Sequence, residues 1–106
     1  RQGRKYHPPD LESSLAGMKG VTLSGVVVFA ISRLEGTDEV VAVVETRGSS
    51  NGAEIEDAVR RRIRETVGLE LDRIVLAPPG TIPRTTSGKV RRSETRARLE
   101  AGTLTR

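Results

Sequence analysis

The chain has no cysteine and no tryptophan, and it contains one phenylalanine, one tyrosine and one histidine. The absence of cysteine excludes a disulfide scaffold, a thiol nucleophile and a cysteine-based zinc site. The lone His7 precedes Pro8, which indicates a loop residue rather than the base of a Ser–His–Asp triad. Carboxylates are not clustered as they are at metal centres, so we expect no metal site. With so few aromatic residues, the core must consist of Val, Ile and Leu.

Long apolar runs are missing as well. No run approaches the roughly 20 residues of a membrane span, and no signal-peptide pattern opens the chain. We therefore expect a cytoplasmic location. The length of 106 residues, with 35% hydrophobic and 30% charged residues, predicts a single small domain spanning residues 1–106. Such a domain is large enough for a core but too small to contain a large substrate cleft.

Positive charge is concentrated towards the C-terminus. The net charge is +4, but residues 80–106 alone carry +5, whereas residues 1–79 carry −1. A basic segment can bind nucleic acid or an acidic protein. However, modules that read bases usually add stacking aromatic side chains, and this segment has none. We therefore predict no nucleic-acid partner, and a small basic binding module remains an alternative function.

Hydrophobic periodicity predicts an α+β fold. Residues 21–31 and 40–44 are almost continuously apolar, which is typical of strands covered on both faces and favours a central position for residues 21–31. A short turn between them predicts an antiparallel hairpin. Residues 74–76 form a third, shorter apolar run. The prediction is a small central, mainly antiparallel sheet of about three strands flanked by helices.

Three helices complete the predicted order of helix, hairpin, helix, strand, loop and helix. The first follows the Pro8-Pro9 pair, and the last is predicted over residues 94–101. The longest begins at an Asn51/Glu54 capping pair and ends at Gly68. Its apolar positions recur every four residues, at Ile55, Val59, Ile63 and Val67. The arginine cluster within residues 60–64 is either a docking patch for an acidic partner or, as surface charges usually are, a solvated helix face.

Residues 79–92 are the stretch whose composition suggests chemistry. Gly80 and Gly88 can adopt positive φ, and Lys89 follows a run of hydroxyl side chains. A lysine on such a loop is a mobile point charge that suits a phosphate or carboxylate. A P-loop is excluded, because Pro83 stands where its first glycine is required and Val90 where its metal-binding hydroxyl is required.

The sequence IPRTTSGKVRR at residues 82–92 resembles the signature near the C-terminus of adenylate-forming enzymes, the acyl-CoA synthetase and acyl-AMP ligase superfamily. That signature places a proline, a basic residue and hydroxyl residues before Gly-Lys, followed by an apolar residue and arginine. The sequence GRKYHPPDLE at residues 3–12 is similar to the loop and helix that follow the interdomain hinge, most of all in fatty acyl-AMP ligases. The resemblance covers nearly the whole chain and implies the small, mobile C-terminal domain of a larger ligase.

The resemblance also implies roles for individual residues. Lys89 would be the catalytic residue, contacting the acyl carboxylate and the α-phosphate of ATP during adenylation. After the domain rotates, Gly3 and Arg4 would lie on the loop facing the pantetheine thiol. The loop that supports Lys89 would consist of Thr85, Thr86, Ser87 and Gly88.

The predicted function is that of a fatty acyl-AMP ligase, which activates a fatty acid with ATP and passes the acyl group to the phosphopantetheine thiol of an acyl carrier protein or polyketide synthase carrier domain. The chain's own N-terminal domain would be its partner and would bind most of the ATP and Mg²⁺, so the isolated chain should be nearly inactive. The alternative within the family is an acyl-CoA synthetase, in which coenzyme A carries the thiol.

Overall fold

The computed structural model describes residues 7–32, 38–47, 52–88 and 90–104, without the side chains of residues 22–24. Its elements, in chain order, are α1 (Pro8–Leu15), β1 (Val21–Ser32), β2 (Asp38–Thr46), α2 (Gly52–Val67), β3 (Arg73–Ala77) and α3 (Arg92–Glu100). The predicted order of helix, hairpin, helix, strand, loop and helix is confirmed.

The three strands form one mixed sheet in the order β1-β2-β3. β1 and β2 pair antiparallel, with Val28 opposite Ala42, as the predicted hairpin requires. β3 pairs parallel to β2, because α2 crosses over between them and returns the chain in the same direction. The predicted α+β fold with three strands flanked by helices is therefore confirmed, with one antiparallel and one parallel pair.

β1 lies at an edge of the described sheet and not at the centre that its apolar pattern favoured. Its two faces are nevertheless buried, because helices cover the sheet on both sides. One face, which includes Val28, belongs to the hydrophobic cluster that also contains Leu11 of α1 and Val59 of α2. The opposite face, which includes Val27, packs under Ile82 and residues of α3. Burial on two faces thus reports the covering helices rather than the position of a strand in the sheet.

The helices bury the residues that periodicity predicted. Ile55, Val59 and Ile63 are the buried residues of α2, which ends at Gly68 with a φ of 77°. The capping pair predicted at its start includes Asn51, which lies outside the described residues. α1 carries proline in its first turn, as expected from Pro8-Pro9.

The Glu12 side chain connects α1 to two other elements. Its Oε2 accepts a hydrogen bond of 2.9 Å from the backbone N–H of Val28 in β1. The guanidinium of Arg92, at the start of α3, donates to both carboxylate oxygens, at 2.8 Å from Nη2. The Glu12–Arg92 ion pair thus joins the start of α3 to α1, with the defined geometry of a planar guanidinium–carboxylate pair. The C-terminal sequence motif is thereby linked to the beginning of the domain.

Candidate active site

The residues predicted to support Lys89 form the tip of a β-hairpin, described at residues 83–88 and 90–91, which we call the active-site hairpin. At its stem the carbonyl of Pro83 accepts the N–H of Arg91 at 2.9 Å, and Arg84 bridges antiparallel to Val90. At its tip the N–H of Gly88 donates to the carbonyl of Thr85 at 2.9 Å, which closes a β-turn. Local backbone hydrogen bonds therefore define this loop.

Gly88 has a φ of 92°, as the sequence suggested. A Cβ at this position would meet no atom within 4 Å, so space does not limit the side chain here. The backbone conformation does, because residues with a Cβ rarely adopt such a φ. Gly80, at the start of the approach to the hairpin, has the same φ of 92°.

The hairpin combines a buried stem with an exposed tip. Ile82, just before the stem, is 2% exposed and packs together with the half-buried Val90 against the sheet face under α3. Thr85, Thr86, Ser87 and Gly88 are all exposed. The hydroxyls of Thr85 and Ser87 lie 3.0 Å apart and share a hydrogen bond across the turn. The stem thus holds polar groups at a site that a second surface can reach.

Lys89 directly follows this tip but lies outside the described residues. The structure brings together the four residues predicted to support it and describes both of its chain neighbours, Gly88 and Val90. Gly3 and Arg4, predicted to face the pantetheine thiol, also lie outside the described residues. The catalytic and pantetheine-side assignments therefore stay predictions.

Sequence reasoning missed Glu45 of β2. Its side chain contacts residues 80–84, the segment that leads into the hairpin. Its side chain is 2% exposed. Glu45 Oε2 accepts the backbone N–H groups of Gly80 at 3.1 Å and Ile82 at 2.8 Å. Glu45 Oε1 accepts Nη2 of Arg84 at 3.0 Å. A sequence signal did exist, because strand alternation places Glu45 on the same inward face as the buried Val41 and Val43.

Three of the four arginines of α2 bind groups within the domain. Nη1 of Arg60 donates to the carbonyl of Leu71 at 2.6 Å, and Nη1 of Arg62 donates to the carbonyl of Ser14 at 3.1 Å. Arg64 pairs with Glu70, whose hydrogen bond and negative charge raise the pKa of the Arg64 guanidinium. These contacts favour the interpretation of the cluster as a helix surface that binds its own neighbours.

The described ranges contain neither a candidate metal centre nor a helix that could span a membrane. No group of three or more His, Asp or Glu side chains there is arranged to hold a metal ion. In the same ranges, no helix combines the length and the apolar character needed to cross a membrane. His7 is exposed, and its backbone carbonyl accepts the N–H of Asp10 at the start of α1.

No family model matches the chain. Individual proteins, however, match it over most of its length. The fatty-acid–CoA ligase FadD21 of Mycobacterium tuberculosis is 32% identical over 99 residues, and the long-chain-fatty-acid–AMP ligase FadD26 of Mycobacterium marinum is 33% identical over 101 residues. Each alignment covers 86% of this chain but 16% of the relative. The chain therefore spans about one sixth of the length of these ligases.

Solved structures show the same relationship. The fatty acid AMP ligase of Legionella pneumophila superposes with a TM-score of 0.74 at 27% identity, over 92% of this chain and 18% of that one. A chain from a study of fatty acyl-adenylate ligases from E. coli and L. pneumophila gives 0.76 at 25% identity, over 96% of this chain and 18% of that one. The chain is thus homologous to a segment that makes up about one sixth of the length of the fatty-acid–CoA and fatty-acid–AMP ligases, which confirms its resemblance to the adenylate-forming superfamily.

Proposed function

We propose that this chain is the mobile C-terminal domain of a fatty acyl-AMP ligase and that Lys89 is its adenylation residue. The observation that carries the proposal is the hairpin that flanks Lys89, with a buried stem, an exposed hydroxyl-bearing tip and the Gly-Lys signature of the family. Homology to ligases over 86% of the chain supports an enzyme domain in preference to the basic binding module considered from charge. The cytoplasmic location expected from the sequence is also part of this proposal.

In the first half-reaction a fatty-acid carboxylate oxygen attacks the α-phosphorus of ATP, and pyrophosphate leaves. Several negatively charged oxygens converge as the new bond forms. The ammonium of Lys89, with three donors on a flexible stem, would bridge the carboxylate and the α-phosphate and stabilise the developing charge. ATP and Mg²⁺ would be bound mainly by the N-terminal domain, as the resemblance to the ligase superfamily implies.

In the second half-reaction the thiol sulfur of a phosphopantetheine arm attacks the acyl carbonyl carbon, and AMP leaves. We propose that the domain rotates between the two steps, so that the hairpin withdraws and the loop containing Gly3 and Arg4 approaches the thiol. Such a rotation exchanges the residues at one site without moving the bound adenylate. It is consistent with a hairpin whose tip is exposed, because that tip can enter and leave a site formed mostly by another domain.

The acceptor of the acyl group distinguishes the proposed function from the alternative of an acyl-CoA synthetase. The relatives include both possibilities, since FadD21 is called a fatty-acid–CoA ligase whereas FadD26 and FadD23 are called long-chain-fatty-acid–AMP ligases. We expect the complete polypeptide, supplied with ATP and a fatty acid, to acylate a carrier protein bearing phosphopantetheine and not free coenzyme A. Mass spectrometry of the carrier protein and of the nucleotide products measures this. Formation of acyl-CoA at a comparable rate would instead assign the chain to an acyl-CoA synthetase.

The isolated chain should not form acyl-adenylate. The candidate residues that the structure describes, Thr85 to Gly88, lie on an exposed hairpin tip, and a closed, water-excluding site requires a second surface. Pyrophosphate exchange by residues 1–106 should therefore equal the rate without protein, and calorimetry should detect no tight binding of ATP. The complete polypeptide at the same concentration is the positive control. Tight ATP binding by the isolated chain would contradict the proposed division of labour between domains.

A further inference from the structure

Glu45 places a carboxylate inside the domain, beneath the approach to the active-site hairpin. It belongs to β2 (Asp38–Thr46) and shares the face of Val41 and Val43, which is packed under α3. Only 2% of the residue is exposed. A charged group is stable in such a place only when its oxygens are saturated with donors, because burial removes its hydration.

The donors to Glu45 all come from one short segment of chain. Oε2 accepts the N–H groups of Gly80 and Ile82, and Oε1 accepts Nη2 of Arg84. Nη1 of Arg84 also donates to the carbonyl of Ile82 at 3.0 Å, so the guanidinium is held on two sides. The carboxylate thus organises residues 80–84, the five residues that lead into the hairpin.

The position of that segment determines where the hairpin lies. Arg84 bridges to Val90, and the carbonyl of Pro83 accepts the N–H of Arg91. Val90 is bonded directly to Lys89, so a displacement of Arg84 is transmitted across the stem to the neighbour of Lys89. Glu45 itself is fixed, because β2 is the middle strand and Glu45 pairs with Ala77 of β3. The sheet is therefore the reference against which the hairpin is aligned.

We propose that Glu45 is a positioning residue for adenylation, which holds the active-site hairpin at one place on the sheet and thereby presents Lys89 to the reacting oxygens. It does not touch the substrates. The inference rests on the proposed role of Lys89. It adds that the correct placement of Lys89 depends on a buried carboxylate about forty residues earlier in the chain.

The test is Glu45→Gln in the complete ligase. Glutamine keeps the shape and one oxygen for the N–H groups of Gly80 and Ile82, but it turns an NH₂ donor towards the donors of Arg84. We expect kcat for pyrophosphate exchange to fall by about ten- to a hundredfold, the range for a reacting group displaced by about 1 Å. KM for ATP and fatty acid should hardly change, and transfer from supplied acyl-adenylate to the thiol should persist within a few-fold.

A stability-matched control separates positioning from folding. Val59→Ala opens a cavity between α2 and the opposite face of the sheet, without any contact to the hairpin. It should lower the Tm of the domain and leave adenylation near the parent rate. If Val59→Ala lowers adenylation as much as Glu45→Gln at a similar loss of Tm, Glu45 acts through stability alone and the proposal is wrong.

Should Glu45→Gln not fold, Arg84→Gln serves as the second variant. It removes the ion pair at a side chain that is 24% exposed and leaves the two backbone donors on Glu45. The same selective loss of kcat for adenylation is expected, and parent-like kcat would overturn the proposal.

A double variant tests whether Glu45 acts through Lys89. If Glu45 acts on adenylation only by placing Lys89, Glu45→Gln should have no further effect once Lys89 has been replaced by alanine. Additive losses would show an independent role for Glu45 and contradict the inference. If Lys89→Ala itself leaves adenylation intact, the proposed function of Lys89 fails. If Lys89→Ala abolishes adenylation and Glu45→Gln does not slow it, the inference on Glu45 alone fails.

Discussion

Replacing Lys89 with alanine in the complete ligase should lower the rate of adenylation by roughly a hundred- to a thousandfold. The ammonium would act where the carboxylate and the α-phosphate converge, and loss of one such pre-organised donor typically raises the barrier by about 2.7–4 kcal/mol. The measurement is ATP–pyrophosphate exchange with a saturating fatty acid. The thiol-transfer step, started from supplied acyl-adenylate, should persist, because the proposed rotation of the domain would carry Lys89 away from the reacting atoms in that step.

Two comparisons make the Lys89 result specific. Lys89→Arg should restore activity only in part, because a planar guanidinium cannot occupy the place of a compact ammonium. The Tm of Lys89→Ala should stay near the parent value, since the neighbouring tip residues are exposed and surface charges contribute little to stability. If the rate of pyrophosphate exchange in Lys89→Ala stays within a few-fold of the parent rate, Lys89 is not catalytic and the hairpin is a purely structural loop.

The second large effect is expected at Gly3, and in the opposite half-reaction. If the loop containing Gly3 and Arg4 approaches the pantetheine arm closely, an indole at position 3 obstructs the thiol. Gly3→Trp in the complete ligase should therefore slow thiol transfer by about a hundredfold, the scale of loss when a reactant is held out of position. Pyrophosphate exchange should remain near the parent rate, because adenylation uses the other orientation of the domain.

Gly3→Ala is the matched control for this substitution. A methyl group adds little bulk, so transfer should fall much less than with tryptophan if obstruction is the cause. Equal losses of adenylation and transfer in Gly3→Trp would point instead to a general folding defect. Together, Lys89→Ala and Gly3→Trp should separate the two half-reactions, each variant retaining the step that the other loses.

Much of the local structure followed from short-range patterns. The four-residue recurrence of Ile55, Val59 and Ile63 predicted α2, and these residues are buried in the structure. The positive φ predicted to be possible at Gly80 and Gly88 is observed at both. Such features depend on neighbours within a few positions, where steric limits on the backbone and the period of a helix act directly.

The connections between distant residues were not predictable in this way. The Glu45–Gly80 hydrogen bond joins residues 35 apart, and the Glu12–Arg92 pair joins residues 80 apart. The inward position of Glu45 could be read from strand alternation, but its partners could not, because many donors in the chain could have satisfied a buried carboxylate. The packing of Ile82 on the same side of the sheet as Val41 and Val43 is what brings the N–H groups of Gly80 and Ile82 to Glu45.

By itself, the sequence determined the order of the elements, the α+β class, the turn glycines and the Gly-Lys motif that resembles the adenylate-forming enzymes. These are properties of local steric preference, hydrophobic period and residue spacing. The tertiary structure decided that β1 is an edge strand, that β3 runs parallel to β2 and that Glu45 lies beneath the hairpin. Each of these depends on how helices pack over both faces of the sheet, because packing brings together groups that no local pattern relates.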